Sequence, residues 1–508
     1  METGRAMTTE YADYTRDRVG WFFGMTGPQL ATVTVAGLPL LLAVGVQQWA
    51  LAALCLLGWV FALMLVLLPV RGRSATQWLG ALVTHTVGRV AGWSAFRGKV
   101  SVGETPDPDD ADLPGILSAI QVHDGPPRGA RMTRVAVIQD HAAQTWAATA
   151  RVVHPGLGSV EGPARHRMGE GLSQLLEVLA RTDLARMLVL QVRTVPDDGA
   201  ERRQWVAQHR RADGPALSRR VNDDLALTLT SASVRTEAFV TVVVGESVLA
   251  KPARQSGGGL EGRARVLYGL LAEVEAHLLG AVGCASVTWL DTTALAAAVR
   301  TGFAPGDRAG LVQAAADVDD ATMTATVPWA LAGPSGAAAP IRWYEHDAWR
   351  SVSTSVLLPD RGAILGALAP ILAPGSPGER RCYTVFYPLV SDRKAARSSA
   401  SAEISAATGG ALRRRLGQQT RARQRRNEAQ TQAVDTKLAR GRAMVRPAAV
   451  ASVTVPAQWP IDDYGRQLES AVRRAGYTPQ RLDLAADSGF IASAIPLGVG
   501  LKMSRSAR

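Results

Sequence analysis

Two uncharged apolar stretches separated by a pair of glutamines constrain this chain more than any other feature. Leu30–Val46 reads LATVTVAGLPLLLAVGV, and Trp49–Leu68 reads WALAALCLLGWVFALMLVLL. At about 1.5 Å per residue the second run is about 30 Å long, the thickness of a bilayer's hydrocarbon core. The first run gains length without gaining charge when it is extended back to Gly27. Only Gln47 and Gln48 lie between them, so the pattern predicts a tight transmembrane helical hairpin over residues 28–69. Pro39 would bend its first helix, which membrane helices tolerate better than soluble ones. A signal peptide needs a cleavage site followed by polar mature sequence, whereas here a second apolar run follows at once. A buried soluble hairpin is the other alternative.

The flanks set the expected orientation. Arg16 and Arg18 precede the hairpin, Arg71, Arg73, Arg89, Arg97 and Lys99 follow it, and the turn is uncharged. The positive-inside rule therefore places both flanks in the cytoplasm and the turn outside. The expectation is a multi-pass protein of the cytoplasmic membrane with both termini inside and residues 1–27 cytoplasmic. Trp21, Phe22 and Phe23 read as interfacial anchors on the entry side, and Trp49 as the anchor on the far side. Residues 70–101 hold an amphipathic helix, TQWLGALVTHTVGRVAGW, which would lie against the membrane or on a partner. The acidic, proline-rich run 102–115 reads as a linker.

The formal net charge of +12 is concentrated. Between Arg393 and Arg446 there are fourteen Lys/Arg and three Asp/Glu, a net of +11. At the centre of this segment stand Arg413, Arg414, Arg415, Arg421, Arg423, Arg425 and Arg426. They fall in a long helical tract, with no large apolar residue between Gly417 and Glu428. A solvated helix, an anionic partner (lipid surface or acidic protein) and DNA all fit such a patch. Near an anionic leaflet each basic residue would contribute about 1 kcal/mol. The three cysteines, Cys55, Cys284 and Cys382, are far apart and imply neither a metal knuckle nor a disulfide framework.

Beyond the linker, strand-like and helix-like segments alternate. RVAVIQDHAAQTWAATARVV reads as two strands and a turn, and ARMLVLQVRTV, TEAFVTVVVG and ASVTWLD as further strands. MGEGLSQLLEVLAR and LEGRARVLYGLLAEVEAHLLGA carry leucines at helical spacing. The fold class expected is α+β: the transmembrane helical hairpin, then a cytoplasmic mixed α/β body with a long basic helix and a terminal β-α-β unit. That body divides into a first domain, 116–331, and a second region, 332–508. Its last unit would run AVASVTVPA, DDYGRQLESAVRRAG and SGFIASAIPLGVG, the final strand stopped by proline. No short-period repeat is visible.

The search for chemistry returns little. No G-x-x-x-x-G-K-[ST] cradle occurs, so nucleotide hydrolysis is not expected. SGGGLEG (256–262) opens a helix and could cradle a phosphate, but it lacks the preceding fingerprint, and a flexible loop is the favoured reading. The eight histidines show no metal-ligand spacing. Glu345, His346 and Asp347 are consecutive, so on a strand they face alternate ways and do not form one site. GESVL (245–249) misses the G-x-S-x-G pattern. No catalytic residue, cofactor or metal is expected.

The entry RVGWFFGMTGPQLATV, the two-helix hairpin and a cytoplasmic body of this length together resemble a conjugation-associated membrane family of actinobacteria. The front resembles the small PrgI-like inner-membrane subunit of type IV secretion-like machines. The body resembles the non-catalytic amino-terminal domain of conjugative TraC/TrbE-like ATPases, most closely from Asn427 to Gly498. In those ATPases a segment similar to GFIASAIPLG leads towards the motor domain, whereas here the chain ends at Arg508. The resemblance thus implies a non-enzymatic scaffold that docks a separate ATPase. Its implied partners are membrane lipids, that ATPase and other secretion subunits, within an oligomeric complex. The EccE component of type VII secretion, which also has two amino-terminal membrane helices and a cytoplasmic α/β domain, is a close rival. A DNA-binding transfer protein acting through the arginine tract is the third reading.

Overall fold

The computed structural model describes residues 10–11, 27–390, 436 and 443–500, except 68, 71–72, 91, 93, 130–131, 157–159, 161, 198, 212, 233, 317–325, 360–361 and 365. The chain separates into two compact units. One comprises Ala12–Gly92, Arg393–Arg442 and Lys502–Arg508; the other comprises Met1–Tyr11, Trp93–Asp392 and Ala443–Leu501.

In the first unit, helices α1 (Gly27–Gly45) and α2 (Trp49–Leu67) are joined by three residues and pack on each other. Pro39 lies inside α1. Gly37 makes the close approach possible, because a Cβ there would lie 3.1 Å from Trp59 Nε1. The same Trp59 Nε1 donates to the Val33 carbonyl at 3.0 Å. A short hairpin, β2 (Pro69–Val70) and β3 (Arg73–Ser74), leads into α3 (Ala75–Val90). The long basic helix expected around Arg413–Arg426 lies outside the described residues.

The second unit is built on one antiparallel sheet. Its chain order begins with β1 (Glu10–Tyr11), β4 (Ala95–Arg97), β5 (Ile120–Arg128), β6 (Thr133–Asp140), β7 (Thr145–Val153), α4 (Gly162–Arg181) and β8 (Ala185–Pro196). There follow α5 (Ala200–His209), α6 (Ala216–Ala232), β9 (Val234–Gly245), α7 (Glu246–Gln255), α8 (Gly259–His277), β10 (Ser286–Trp289), α9 (Thr292–Phe303) and α10 (Arg308–Ala316). The remainder is β11 (Gly336–Ala338), β12 (Tyr344–His346), β13 (Trp349–Leu357), β14 (Ala363–Ile364), β15 (Arg380–Val390), β16 (Met444–Val445), β17 (Ala448–Pro456), α11 (Ile461–Arg474), β18 (Thr478–Arg481) and α12 (Ala486–Ala494). The strand path is β4-β11-β12-β13-β17-β15-β8-β9-β7-β6-β5, with β10 on β7, β18 on β13 and β16 on β15. A two-residue pairing of β1 with β14 stands apart from it.

This order contains a duplication that the sequence conceals. Strands β7, β8, β9 and β10 lie in the order β10-β7-β9-β8, with α4 between the first two and α8 between the last two. Strands β13, β15, β17 and β18 lie in the order β18-β13-β17-β15, with α11 before the last. Both are the split β-α-β, or ferredoxin-like, arrangement. In the second copy the first helix is reduced to a 3₁₀ turn, Ala369–Leu372, whose Ile371 is fully buried. The copies join edge to edge, β8 running antiparallel to β15 with Gln191 opposite Thr384. Each also carries an extra hairpin, β5–β6 or β11–β12, on its first strand's side. The expected division at residues 331 and 332 falls between the two copies, which share one sheet.

Helices cover both faces of that sheet, and this explains its strand sequences. Val240, Val242 and Val244 of β9 pack with Leu175 and Leu179 of α4 and Leu267, Leu271 and Val274 of α8. The intervening Phe239 and Val243 pack with Leu295, Val299 and Phe303 of α9 and with Phe490 and Ile491 of α12. A strand buried on both faces reads as a continuous apolar run, as TEAFVTVVVG does. In the second copy Leu468 and Val472 of α11 meet Val352, Val453 and Val455. The run 102–115 is tied into this unit: Asp112 Oδ2 accepts from the Lys99 N–H at 2.6 Å, the Pro108 carbonyl accepts from the Ala330 N–H at 3.2 Å, and Leu113 is buried.

One expected strand is a helix. Residues 488–494 of SGFIASAIPLG (488–498) lie in α12, and the last strand of the unit is instead the short β18. The expected terminal β-α-β therefore consists of β17, α11 and β18. Seven of the nine α12 residues are buried, so no polar face reveals the helical period.

Where α4 crosses the last turn of α8's continuation (Leu278–Val282), a Cβ on Gly171 would sit 2.1 Å from the Ala281 carbonyl oxygen. Backbone cannot yield as a side chain can, so Gly171→Ala should destabilise by about 1–3 kcal/mol. Gly269 of α8 has nothing within 4 Å, and Gly269→Ala should be neutral or stabilising by up to about 1 kcal/mol. Urea unfolding of the detergent-solubilised chain, read by tryptophan fluorescence, separates the two.

Candidate functional site

Three features of the described residues bear on function: an apolar helix surface, a polar cleft and a buried polar seam. The first is α2. Trp49–Val66 is the one described helix long and apolar enough to cross a membrane, and only 11% of that window is buried. Leu54, Leu57 and Phe61 are each more than 60% exposed. Trp49, the expected far-side anchor, opens α2 and is 71% exposed. The described part of α1 contributes a shorter apolar helix, Ala31–Gly45. On α3, Leu79, Leu82, Val83, Val87 and Val90 are exposed at helical spacing. The entry anchors Trp21, Phe22 and Phe23 lie outside the described residues. So does the whole arginine patch, Arg413, Arg414, Arg415, Arg421, Arg423, Arg425 and Arg426.

The cleft has a volume of about 420 Å³ and opens at one end of the first ferredoxin-like copy. It is lined by His123 of β5, the end of β6, the start of β7, Glu246 of α7 and the start of α8. Sheet register assembles its histidines. Gln121 pairs opposite Gln139, and the side chains form a chain: His123 Nε2 to Gln139 Oε1 at 2.9 Å, Gln139 Nε2 to His141 Nδ1 at 3.4 Å, His141 Nε2 to Gln121 Oε1 at 3.2 Å. Sequence reading treated these histidines as scattered; the alternating Gln-x-His in 121–123 and 139–141 was the available signal. The SGGGLEG stretch forms the opposite rim, with Gly257, Gly258 and Gly259 all at positive φ.

The cleft's charged groups already have partners. Glu246 accepts from Arg263 and from the Trp146 indole N–H, and Arg263 holds its carboxyl below the usual carboxylate range, with Trp146 adding to the effect. The Arg263 guanidinium lies 5.4 Å from the centre of the Trp146 ring. Asp140 Oδ1 accepts from the Ala143 N–H at 2.8 Å. Among the described residues no three His, Cys, Asp or Glu side chains converge as metal ligands. The arrangement suits hydrogen-bonded recognition of a polar surface group.

The seam lies where α9 and α12 end on the sheet. Helix C-termini present carbonyls without intrahelical partners and favour cations. Arg193 Nη1 donates to the Ala298 and Ala494 carbonyls at 2.9 and 3.2 Å, and Arg380 Nη1 to the Thr301 carbonyl at 2.9 Å. Gln191 and Thr384 both donate to the Ser493 carbonyl. His346 Nδ1 lies 2.6 Å from the Phe303 carbonyl, which can only accept, so Nδ1 carries the proton and Nε2 accepts from Ser351 Oγ at 2.7 Å. Burial, reinforced by Arg380, pushes the His346 pKa down to about 3. Glu345, His346 and Asp347, adjacent in sequence, go separate ways: His346 is buried in the seam, Glu345 pairs with Arg350, and Asp347 Oδ1 accepts from the Ser335 N–H.

Compared with known proteins, the chain matches no family model and no curated protein.

Proposed function

We propose that this chain is an integral membrane scaffold subunit of a conjugative or type IV secretion-like transfer complex, whose body docks a separate ATPase and does no chemistry of its own. The observation that supports this most is the exposed apolar surface of α2, followed directly in the chain by a body whose cores are closed on both faces of one sheet. In this reading α1 and α2 cross the bilayer as a pair, both flanks stay in the cytoplasm, and the apolar stripe of α3 rests in the interface. By the positive-inside rule the basic residues that follow the pair in sequence, Arg71, Arg73, Arg89, Arg97 and Lys99, then belong to the cytoplasmic side. A partner-facing body needs a rigid, polar-lined surface, and the cleft supplies one.

Two measurements test it. Leu57→Arg places a charge near the centre of α2, at about 2.5–3.5 kcal/mol on insertion scales; the expected result is a shift of the chain from the membrane to the aggregated or soluble fraction. The second is affinity purification of the full chain from detergent extracts of its native cell. A hexameric ATPase should co-purify, and repeated extraction of an assembled complex without one would remove the docking role.

A further inference from the structure

Beyond α9, on the face of the sheet it covers, arginines gather around two carboxylates. Glu237 on β9 is buried and pairs with Arg193 Nη2 at 2.7 Å, with Arg235 Nε at 3.8 Å and Arg308 Nε at 3.9 Å. Glu201, on the first turn of α5, is shared by Arg235 and Arg308. Arg151 on β7 completes the group. Its guanidinium rests 5.9 Å from the centre of the Phe239 ring, with Arg193 4.8 Å from the same ring.

Two independent observations show that Arg151, Arg193 and Arg235 carry N–H donors without an acceptor among the described residues. Arg151 is exposed, and its guanidinium makes no hydrogen bond or ion pair with a described residue. Arg193 Nε and Arg235 Nε are both buried without a hydrogen-bond acceptor. Buried N–H donors are nearly always satisfied, by protein, water or a bound ion. Desolvation lowers the Arg151 pKa, and the neighbouring Arg193, Arg235 and Arg308 lower it further against the opposing pull of Glu237. Guanidinium forks match tetrahedral oxyanions, which carry enough lone pairs to serve two arginines at once.

We infer that Arg151 and Arg235 form a binding site for a phosphate-type oxyanion, free or carried as a monoester, at the end of the first ferredoxin-like copy away from the polar cleft. Glu201 closes the side towards α5, and Arg193 and Glu237 form the floor. The site is distinct from the arginine tract at 413–426 and does not depend on the scaffold role proposed above.

The test uses the full chain in detergent, with inorganic phosphate and glycerol phosphate as probes against chloride at equal ionic strength. Binding is read by calorimetry and by the thermal midpoint. The expected result is saturable binding of at least one probe, weakened tenfold or more in Arg151→Gln and in Arg235→Gln. Arg151 makes no direct hydrogen bond or ion pair with a described residue, so Arg151→Gln should lower the midpoint in chloride less than Arg235→Gln, which breaks the pairs with Glu201 and Glu237. Arg128→Gln, which removes a cation paired with Glu275 on another part of the sheet, should bind as wild type. Equal affinity for the two probes identifies the free anion as sufficient, whereas much tighter binding of glycerol phosphate identifies an ester as the ligand. Failure of both probes to bind, or unchanged binding in Arg151→Gln, overturns the site.

Discussion

Replacing Arg193 by methionine should cost about 3–5 kcal/mol, the largest loss expected from any single substitution considered for this chain. The side chain is 1% exposed, and three of its bonds fail together. Glu237 loses its 2.7 Å partner, and the Ala298 carbonyl within α9 and the last carbonyl of α12, Ala494, each lose a charged donor. Burial pushes the Glu237 carboxyl up, while Arg193, Arg151 and Arg235 together bring it below the usual range. Without Arg193 the carboxylate stays buried with weaker support. The double substitution Arg193→Met with Glu237→Leu should recover a large share of the loss, because replacing a whole buried pair by apolar groups is far less costly than orphaning one member. Urea unfolding of the detergent-solubilised protein measures both. A single-variant loss below about 1 kcal/mol would show that the seam does not hold the two helices.

The second large effect is acid lability through His346. Unfolded, this imidazole titrates near 6.5; in the fold, burial lowers that to about 3. Above pH 6.5 both states are neutral and the fold has its full stability. As pH falls below 6.5 the unfolded chain takes up a proton that the folded chain refuses, so stability declines by up to about 1.4 kcal/mol per pH unit until the folded pKa is reached. Glu237 and Glu246, whose folded pKa values are depressed, add their own losses only as pH falls through the carboxylate range. The interval from pH 6.5 to 5 therefore isolates the histidine. Urea midpoints should fall across it in the wild type and stay nearly level in His346→Gln, which starts from a lower stability because Ser351 and the Phe303 carbonyl lose their native partner. A level wild-type curve would mean that folded and unfolded chains take up this proton alike, and that burial does not hold His346 neutral.

Much of the architecture was legible because its periods are strong. Leu172, Leu175, Leu176 and Leu179 announced α4, and Leu267, Leu270, Leu271 and Val274 announced α8, since each helix has one buried and one wet face. The strands of β6 to β9 were equally plain. The segment now seen as α12 was misread as a strand because its burial is nearly uniform, and SGFIASAIPLG then offers only a short apolar run. The duplication escaped for a different reason. The first helix of the second copy has shrunk to the turn at Ala369–Leu372, and α5 and α6 lie between β8 and β9 of the first copy. Topology survives such changes, whereas spacing in the sequence does not. The cleft was invisible because Gln121, His123, Gln139 and His141 meet only through strand register.

By itself the sequence determined the apolar character of α2, the basic flanks and the existence of an α+β body, because hydropathy and helical period are local properties of the chain. Only the tertiary structure decided that the body is two ferredoxin-like copies sharing one sheet, that His346 is buried apart from Glu345 and Asp347, and that Arg193, Arg235 and Arg308 converge on Glu237. These depend on pairings between residues far apart in the chain, and the free energy that selects them comes from burying both faces of the sheet at once.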